Sequence, residues 1–256
     1  MKTNQHSLRQ WVNFTAIIAA FVTNVLANIA PINGLTIGEI SNTFFKEVLI
    51  TPASYAFAIW GLIYLGLISL AIYQVLPQNR EQPRLVQMGY FITFSSLAQI
   101  IWVLLFQLQL FLLSVVAMIA ILIPLIFLYL RLEINLESVN KKQRWLVNFP
   151  LSVYFAWISV ATIVNVALGL YTLKWNGGGI SPVFWTIIMM VIAAIIAGII
   201  RIKRQDLVYT GVFIWALVAI AVRHLDKLPI AATALTLALV LMMLMMIPSR
   251  IIKSLF

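Results

Sequence analysis

The chain has 256 residues, of which 63% are hydrophobic and only 9% charged, a composition that excludes a single soluble core of this length. The net charge of +10 would suit a nucleic-acid partner, but the basic residues lie in short stretches between apolar windows, where membrane topology explains them and no nucleic acid is needed. Cysteine is absent, which excludes disulfides and thiolate chemistry.

Eight apolar windows are each long enough to cross about 30 Å of hydrocarbon as a helix. We therefore predict an all-α membrane protein, with helices at residues 11–30, 53–76, 88–106, 110–130, 145–171, 182–200, 207–222 and 228–247. Between the first two windows, residues 31–51 are predicted to form a polar connection. Thr51-Pro52 and Ser181-Pro182 each indicate a helix cap followed by a first-turn proline.

The basic residues also predict the orientation of the chain. With eight spans, 13 of the 17 Lys and Arg residues fall on the side that carries both termini. Because loops rich in Lys and Arg stay in the cytoplasm, both termini are predicted to be cytoplasmic.

An aromatic and polar stripe runs along the fifth predicted helix. Its members are spaced three, four and four residues apart and so share one face: Tyr154, Trp157, Ala161 and Asn165. An amide has no reason to face acyl chains, so this stripe is predicted to face other helices or a cavity. Two interpretations stay open, a binding surface and a packing seam closed by one interhelical hydrogen bond.

Other helices place similar side chains at a similar depth. They are Asn24 on the first helix, Trp60 and Tyr64 on the second, and Gln99 and Trp102 on the third. We predict that these side chains converge on an outward-opening cavity that is apolar with a few polar groups, the usual form of a small-molecule site.

The residues needed for several kinds of chemistry are missing. All seven acidic residues fall in loops or at the ends of spans, whereas ion pumps and proton-coupled carriers normally keep a charged side chain within a span. No catalytic residue and no metal site is predicted, because no paired carboxylates and no metal-binding motif are present. His224, between Arg223 and Asp226, is interpreted as part of a solvated loop, with haem ligation as the alternative.

Three helices resemble those of the translocator protein family, also called tryptophan-rich sensory proteins or TspO/MBR. That family has Tyr-x-x-Trp-x-x-x-Ala-Thr-x-x-Asn in its fifth helix, and all five places are matched by Tyr154, Trp157, Ala161, Thr162 and Asn165. Its second helix has a leading proline and Trp-x-x-Leu-Tyr, similar to Pro52 and the stretch from Trp60 to Tyr64, in which Ile63 replaces the leucine. Its third helix has Asn-x-x-Trp-x-x-x-Phe-Phe-Gly, similar to the stretch from Gln99 to Phe106.

The departures from the family pattern are Gln99 for an asparagine, Gln107-Leu108 for the final Phe-Gly, and Pro150 three residues early. The resemblance covers about residues 10–176 and implies a TspO-like five-helix bundle, followed by a three-helix C-terminal extension at residues 177–256. It also implies a pocket for hydrophobic ligands, chiefly porphyrins, with haem as a related ligand and with no required cofactor. Dimers are common in the family.

The leading hypothesis is a protein that binds a tetrapyrrole or a similar hydrophobic ligand as a sensor, carrier or regulator. The expected ligand-binding residues are Trp60, Tyr64, Gln99, Trp102, Tyr154, Trp157, Ala161, Asn165 and Asn24. The expected partners are the lipid bilayer, a hydrophobic small molecule and a second copy of the chain. Light-dependent porphyrin breakdown in the family leaves enzymatic activity open. The alternatives are a transporter of another small molecule and a structural or assembly protein without a ligand.

Overall fold

The computed structural model describes residues 2–248, with side chains described from Gln5 onward, and every regular element in that range is helical. Six helices are long and apolar enough to cross a membrane: Gln5–Ile29, Ser54–Val75, Phe111–Arg131, Lys141–Thr172, Pro182–Arg204 and Leu228–Met246. The apolar helices Phe91–Gln107 and Leu207–Arg223 have 17 residues each, at the short end of the range for a span. The chain is a multi-pass membrane protein.

In chain order the helices of the described residues are α1 (Lys2–Ile29), α2 (Ile37–Phe44), α3 (Ile59–Val75), α4 (Pro83–Gln87), α5 (Phe91–Gln107), α6 (Phe111–Arg131), α7 (Lys141–Gln143), α8 (Phe149–Thr172), α9 (Pro182–Arg204), α10 (Leu207–Arg223) and α11 (Leu228–Met246). A 3-10 turn, Ser54–Ala58, leads into α3, and a π-helical turn, Arg144–Asn148, joins α7 to α8. Two cations counted for orientation, Arg250 and Lys253, lie outside the described residues.

Two helices differ clearly from the sequence prediction. The connection predicted to be a polar loop contains α2, because Thr36 and Glu39 form a capping box that satisfies the first backbone N–H groups of the helix. The first helix begins at Lys2 rather than at Trp11, since Arg9 and Gln10 are buried against neighbouring elements instead of lying in a free N-terminal segment.

Five long helices close into a ring. Going around it, α1 packs on α5, α5 on α6, α6 on α8, α8 on α3, and α3 on α1. The last three helices pack on one another, and α10 joins them to the ring by packing on α8. Helix α8 therefore has ring helices on one side and α10 on the other.

Helix α3 approaches α8 closely where Gly66 meets Pro150. A Cβ atom built on Gly66 would lie 3.0 Å from the Cβ atom of Pro150, so a larger residue here would require the two helices to shift by a few tenths of an ångström. The contact gives a packing role to the proline that departs from the TspO/MBR pattern.

Burial divides α8 into two halves. Residues 150–158 are all buried, although they cover every side of the helix. Residues 161–164 are all partly exposed, and they too cover most of the circumference, since successive residues are about 100° apart. The packing around α8 therefore opens at this turn, and the cavities described below lie beside it.

Candidate ligand-binding site

A cavity lies inside the ring, at the end that carries the connection between α1 and α3. It is lined mainly by apolar and aromatic side chains from six elements: Ile37 and Ser41 of α2, Pro52 and Phe57 of the following segment, Trp60 of α3, Trp102 and Phe106 of α5, Met118 of α6, and Trp157, Val160, Ala161, Val164, Asn165 and Leu168 of α8. Its unfilled space is about 500 Å³ including the open mouth, but the centre of a water molecule can reach only about 40 Å³. The cavity is therefore a narrow crevice.

Three tryptophans from three different helices line this crevice. Trp157 is almost completely buried and meets Phe57 edge to face, with ring centroids 6.1 Å apart. Trp60 stacks on Tyr64 at 5.6 Å, and Trp102 stacks on Phe106 at 5.2 Å. Neighbouring rings thus hold each indole in place, so the walls of the crevice are aromatic surfaces of defined orientation.

Asn165 is the polar centre of the lining. Its Oδ1 accepts a hydrogen bond of 2.7 Å from the Trp102 indole N–H, and its Nδ2 donates to the Ser114 hydroxyl at 3.0 Å. The Ser114 hydroxyl in turn donates to the Phe111 carbonyl at 2.7 Å. The side chain therefore does two things at once, since it joins α5, α6 and α8 and gives the crevice a polar edge.

Gln99 lies in a second hydrogen-bonded chain outside the crevice. Its Nε2 donates to the Tyr64 hydroxyl at 2.5 Å, and its Oε1 accepts from the Tyr154 hydroxyl. The Tyr64 hydroxyl donates to the Ala20 carbonyl at 3.3 Å. All of these groups are buried, and together they tie α1, α3, α5 and α8 to one another.

Five of the nine predicted site residues line the crevice: Trp60, Trp102, Trp157, Ala161 and Asn165. The other four lie behind it. Tyr64, Gln99 and Tyr154 form the chain just described, while Asn24 is buried on α1, where its carbonyl accepts from the Asn28 amide at 2.8 Å. The structure thus separates the lining residues from Tyr64, Gln99 and Tyr154, which hold helices together, and from Asn24, whose bond lies within α1.

The mouth of the crevice is built by residues that the sequence analysis missed. Gln107, one of the departures from the TspO/MBR pattern, accepts from the Ile32 N–H at 2.8 Å and donates to the carbonyls of Ala27 and Leu35. These bonds hold the connection against the end of α5. The Thr36-x-x-Glu39 spacing of the capping box was the readable signal for α2, which supplies Ile37 and Ser41 to the lining.

Helix α10 holds the other part of the mouth through one face. Trp215 donates from its indole N–H to the Ala56 carbonyl at 3.1 Å. One turn further on, the Ala219 carbonyl accepts from the Ala53 N–H at 3.0 Å. After another turn, Arg223 donates to Asn42 and to the Pro52 carbonyl at 3.2 and 3.3 Å. The C-terminal helices therefore hold the segment that carries two lining residues of the crevice.

His224 is buried beside this contact, which corrects its interpretation as part of a solvated loop. Only 4% of the residue is exposed, and its Nε2 has no hydrogen-bond partner in the described part of the chain. Burial lowers the pKa of His224, and the nearby Arg223 and Lys227 lower it further, while a hydrogen bond with the Leu49 backbone and the charge of Asp226 act in the opposite direction. A neutral imidazole is therefore favoured there.

Asp206, at the opposite end of α10, is also buried, although it lies in the short connection between two spans. Its Oδ2 accepts from the hydroxyls of Tyr129 and Ser152, at 2.9 and 2.6 Å, and its Oδ1 accepts from two backbone N–H groups at the start of α10. All of these acceptor positions are used for structure. Among the described residues, no group of His, Asp and Glu side chains could hold a metal ion.

The fold and the crevice define a class: an all-α, multi-pass membrane protein with an aromatic cavity inside a helical ring. Comparison with known families places it further, because the sequence pattern of the TSPO-like protein family matches residues 10–247. The chain belongs to this family. The matched range includes the three C-terminal helices as well as the ring. No curated protein and no solved structure matches the chain.

Proposed function

We propose that the crevice binds a flat apolar ligand, a tetrapyrrole or a similar hydrophobic molecule, and that the protein acts as a sensor, carrier or regulator for it. The observation that carries the proposal is the convergence of Trp60, Trp102 and Trp157, from three helices, on one narrow space. Tryptophans at membrane interfaces are explained by anchoring, but this arrangement inside a ring is not.

The shape and polarity of the crevice favour this class of ligand. A narrow space between aromatic faces fits a planar molecule better than a compact one, and offset or edge-to-face ring contacts each contribute about 0.5–1.5 kcal/mol beyond area burial. Asn165 and Ser41 are the polar residues of the lining, so a ligand with polar groups at one edge can be oriented there.

The size of the crevice implies that one wall moves when a tetrapyrrole binds. Space for water centres of about 40 Å³ holds a few water molecules, far less than a tetrapyrrole ring needs. Four lining residues come from outside the long ring helices: Ile37, Ser41, Pro52 and Phe57. These residues belong to the mouth segment, residues 37–58, and this is the wall that we expect to move.

Tryptophan fluorescence quenching by protoporphyrin IX tests the proposal in detergent-purified protein. Wild type is expected to give saturable quenching in the micromolar range. Trp60→Phe and Trp157→Phe should each weaken the affinity at least tenfold, because each removes part of the aromatic wall. Trp145→Phe is the matched control, since Trp145 is 62% exposed, lies in the π-helical turn before α8 and does not line the crevice.

The alternatives give different results. The proposal would be overturned if wild type showed no quenching, or if all three variants bound protoporphyrin IX with the affinity of wild type. The tryptophans would then be packing residues. A transporter of another substrate would show counterflow of that substrate in liposomes without porphyrin binding. A structural or assembly protein would show neither activity.

A further inference from the structure

A second crevice lies beside an adjoining face of α8, between the ring and the C-terminal helices. It is lined on the α9 and α10 side by Met190, Ala193, Phe213, Ala216, Leu217 and Ile220. Ile50 of the mouth segment also lines it, and the remaining lining residues, Val160, Ile163 and Val164, belong to α8. Every side chain in this lining is apolar, so the crevice does not bind water and is suited to hydrocarbon groups.

The two crevices share part of their walls. Val160 and Val164, one turn apart on α8, line both of them. The mouth segment also borders both, since Ile50 lines the second crevice and Pro52, two residues later, lines the first. The shared valines lie at the turn where residues 161–164 are all partly exposed. The aromatic space and the apolar space therefore adjoin at these two valine side chains.

We infer that the two crevices form one binding site around α8, which takes a planar ligand carrying a short aliphatic arm. This inference rests on the proposed function and extends it. The planar part lies between the tryptophans, and the arm passes Val160 and Val164 to reach Ala193 and Ala216. The second crevice offers about 20 Å³ to the centre of a water-sized group, so only the end of the arm enters it, and the preceding carbons lie along Val160 and Val164.

A ligand with an arm is expected to bind only modestly more tightly than the same ligand without it. Lipid and detergent are as apolar as the crevice, so the arm gains little free energy by leaving them. What it gains is contact with atoms that otherwise face a void. The test must therefore compare two ligands that differ only in the arm, across variants measured in the same detergent, so that partitioning into the micelle cancels.

Suitable probes are the monomethyl and monohexyl esters of protoporphyrin IX, with affinity measured by tryptophan quenching. In wild type the hexyl ester is expected to bind about fivefold more tightly than the methyl ester, after correction for micelle partitioning. Ala216→Val and Ala193→Val fill the second crevice from two different helices, α10 and α9. In each variant the ratio of the affinity for the hexyl ester to that for the methyl ester should decrease to about one, while the affinity for the methyl ester itself changes less than twofold.

Ala221→Val is the matched control, because Ala221 is equally buried on α10 but does not line the crevice. This variant should keep the wild-type preference. Retained binding of the methyl ester in each variant checks that the protein has folded. Val164→Ala widens the passage and should increase the preference further.

The outcomes separate this inference from the proposed function. If the methyl ester binds and depends on Trp157, but the preference for the hexyl ester is the same in Ala216→Val and Ala193→Val as in wild type, the second crevice is a packing void and the inference is wrong. If neither ester binds to wild type, the proposed function fails, and the inference fails with it.

Discussion

The two halves of helix α8 have different roles. In the first half, Ser152 and Tyr154 donate hydrogen bonds to Asp206 and Gln99, and every residue from 150 to 158 is buried. In the second half, Ala161 and Val164 border crevices. Asn165 lines the first crevice, and its amide also forms hydrogen bonds with Trp102 and Ser114 of neighbouring helices. The first half fixes the helix and presents only Trp157 to the crevice, so the second half can leave space beside it.

This contrast separates stability from binding. Substitutions at partners of the packed half should lower the free energy of unfolding and leave ligand affinity unchanged. Substitutions that affect the open half or the mouth should change access or binding with smaller effects on stability. The following predictions test that separation.

The largest loss of stability is expected for Asp206→Ala. The change leaves two buried hydroxyls and two backbone N–H groups without their acceptor, which costs about 3 kcal/mol. The free energy of unfolding can be measured by titration with sodium dodecyl sulfate. Asp226→Ala is the control, since Asp226 is exposed at the other end of α10 and its loss should have little effect. Equal stability of the two variants would show that the Asp206 network is not important.

A smaller loss is expected for Gln99→Leu. It breaks the bonds to Tyr64 and Tyr154, at a cost of about 1–2 kcal/mol in a membrane protein. Since Gln99 does not line the crevice, the affinity for protoporphyrin IX should change less than twofold. Tyr154→Phe removes one of the same bonds from its other end and should cost about half as much. A tenfold loss of affinity in Gln99→Leu would instead place this residue in the binding site.

Arg223→Gln should weaken the attachment of the mouth segment to α10 and lower the free energy of unfolding by about 0.5–1 kcal/mol. Its bonds to Asn42 and the Pro52 carbonyl hold the mouth segment to α10, and they are only partly buried. Because the chain contains no cysteine, Ser41→Cys offers a single thiol in the lining. Its reaction with N-ethylmaleimide is expected to be severalfold faster when Arg223→Gln is added. Lys227→Gln, which removes an exposed cation at the same end, should leave the rate unchanged.

The smallest effect concerns pH and His224. Its pKa lies below the ordinary value of about 6.5, mainly because the residue is buried, so the unfolded chain binds the proton more readily than the folded one. The stabilising contribution of the neutral His224 should therefore be fully present above about pH 6.5 and be lost as the pH decreases below it. The melting temperature should decrease by about 1–2 °C over this range. His224→Asn should remove this fall, whereas His6→Asn should retain it. The same fall in both variants would exclude His224 as its source.

The sequence was sufficient to predict the eight apolar helices and the shared face of the α8 stripe, but not α2. The spacing of Trp157, Ala161 and Asn165 determines that they share a face, and the hydrophobic windows determine the depth of Trp60 and Trp102. These five residues line one crevice. Helical periodicity could predict this much, because it fixes direction and depth within each span.

Periodicity could not decide which polar groups would find protein partners. Tyr64, Gln99 and Tyr154 lie at a suitable depth, but their mutual hydrogen bonds depend on the order in which the helices surround the ring. Likewise, the burial of Asp206 depends on Tyr129 and Ser152, which are distant in the sequence. Tertiary packing decides such contacts, and no local pattern encodes them.

The most direct test of the central claim compares single thiols in the two halves of α8. Ala156 is completely buried in the packed half, and Ala161 lines the crevice five residues later. N-ethylmaleimide should modify Ala161→Cys at least tenfold faster than Ala156→Cys, and saturating protoporphyrin IX should protect the first variant. Equal rates, or a rate at position 161 that protoporphyrin leaves unchanged, would contradict the account that this half of α8 borders the ligand-binding site.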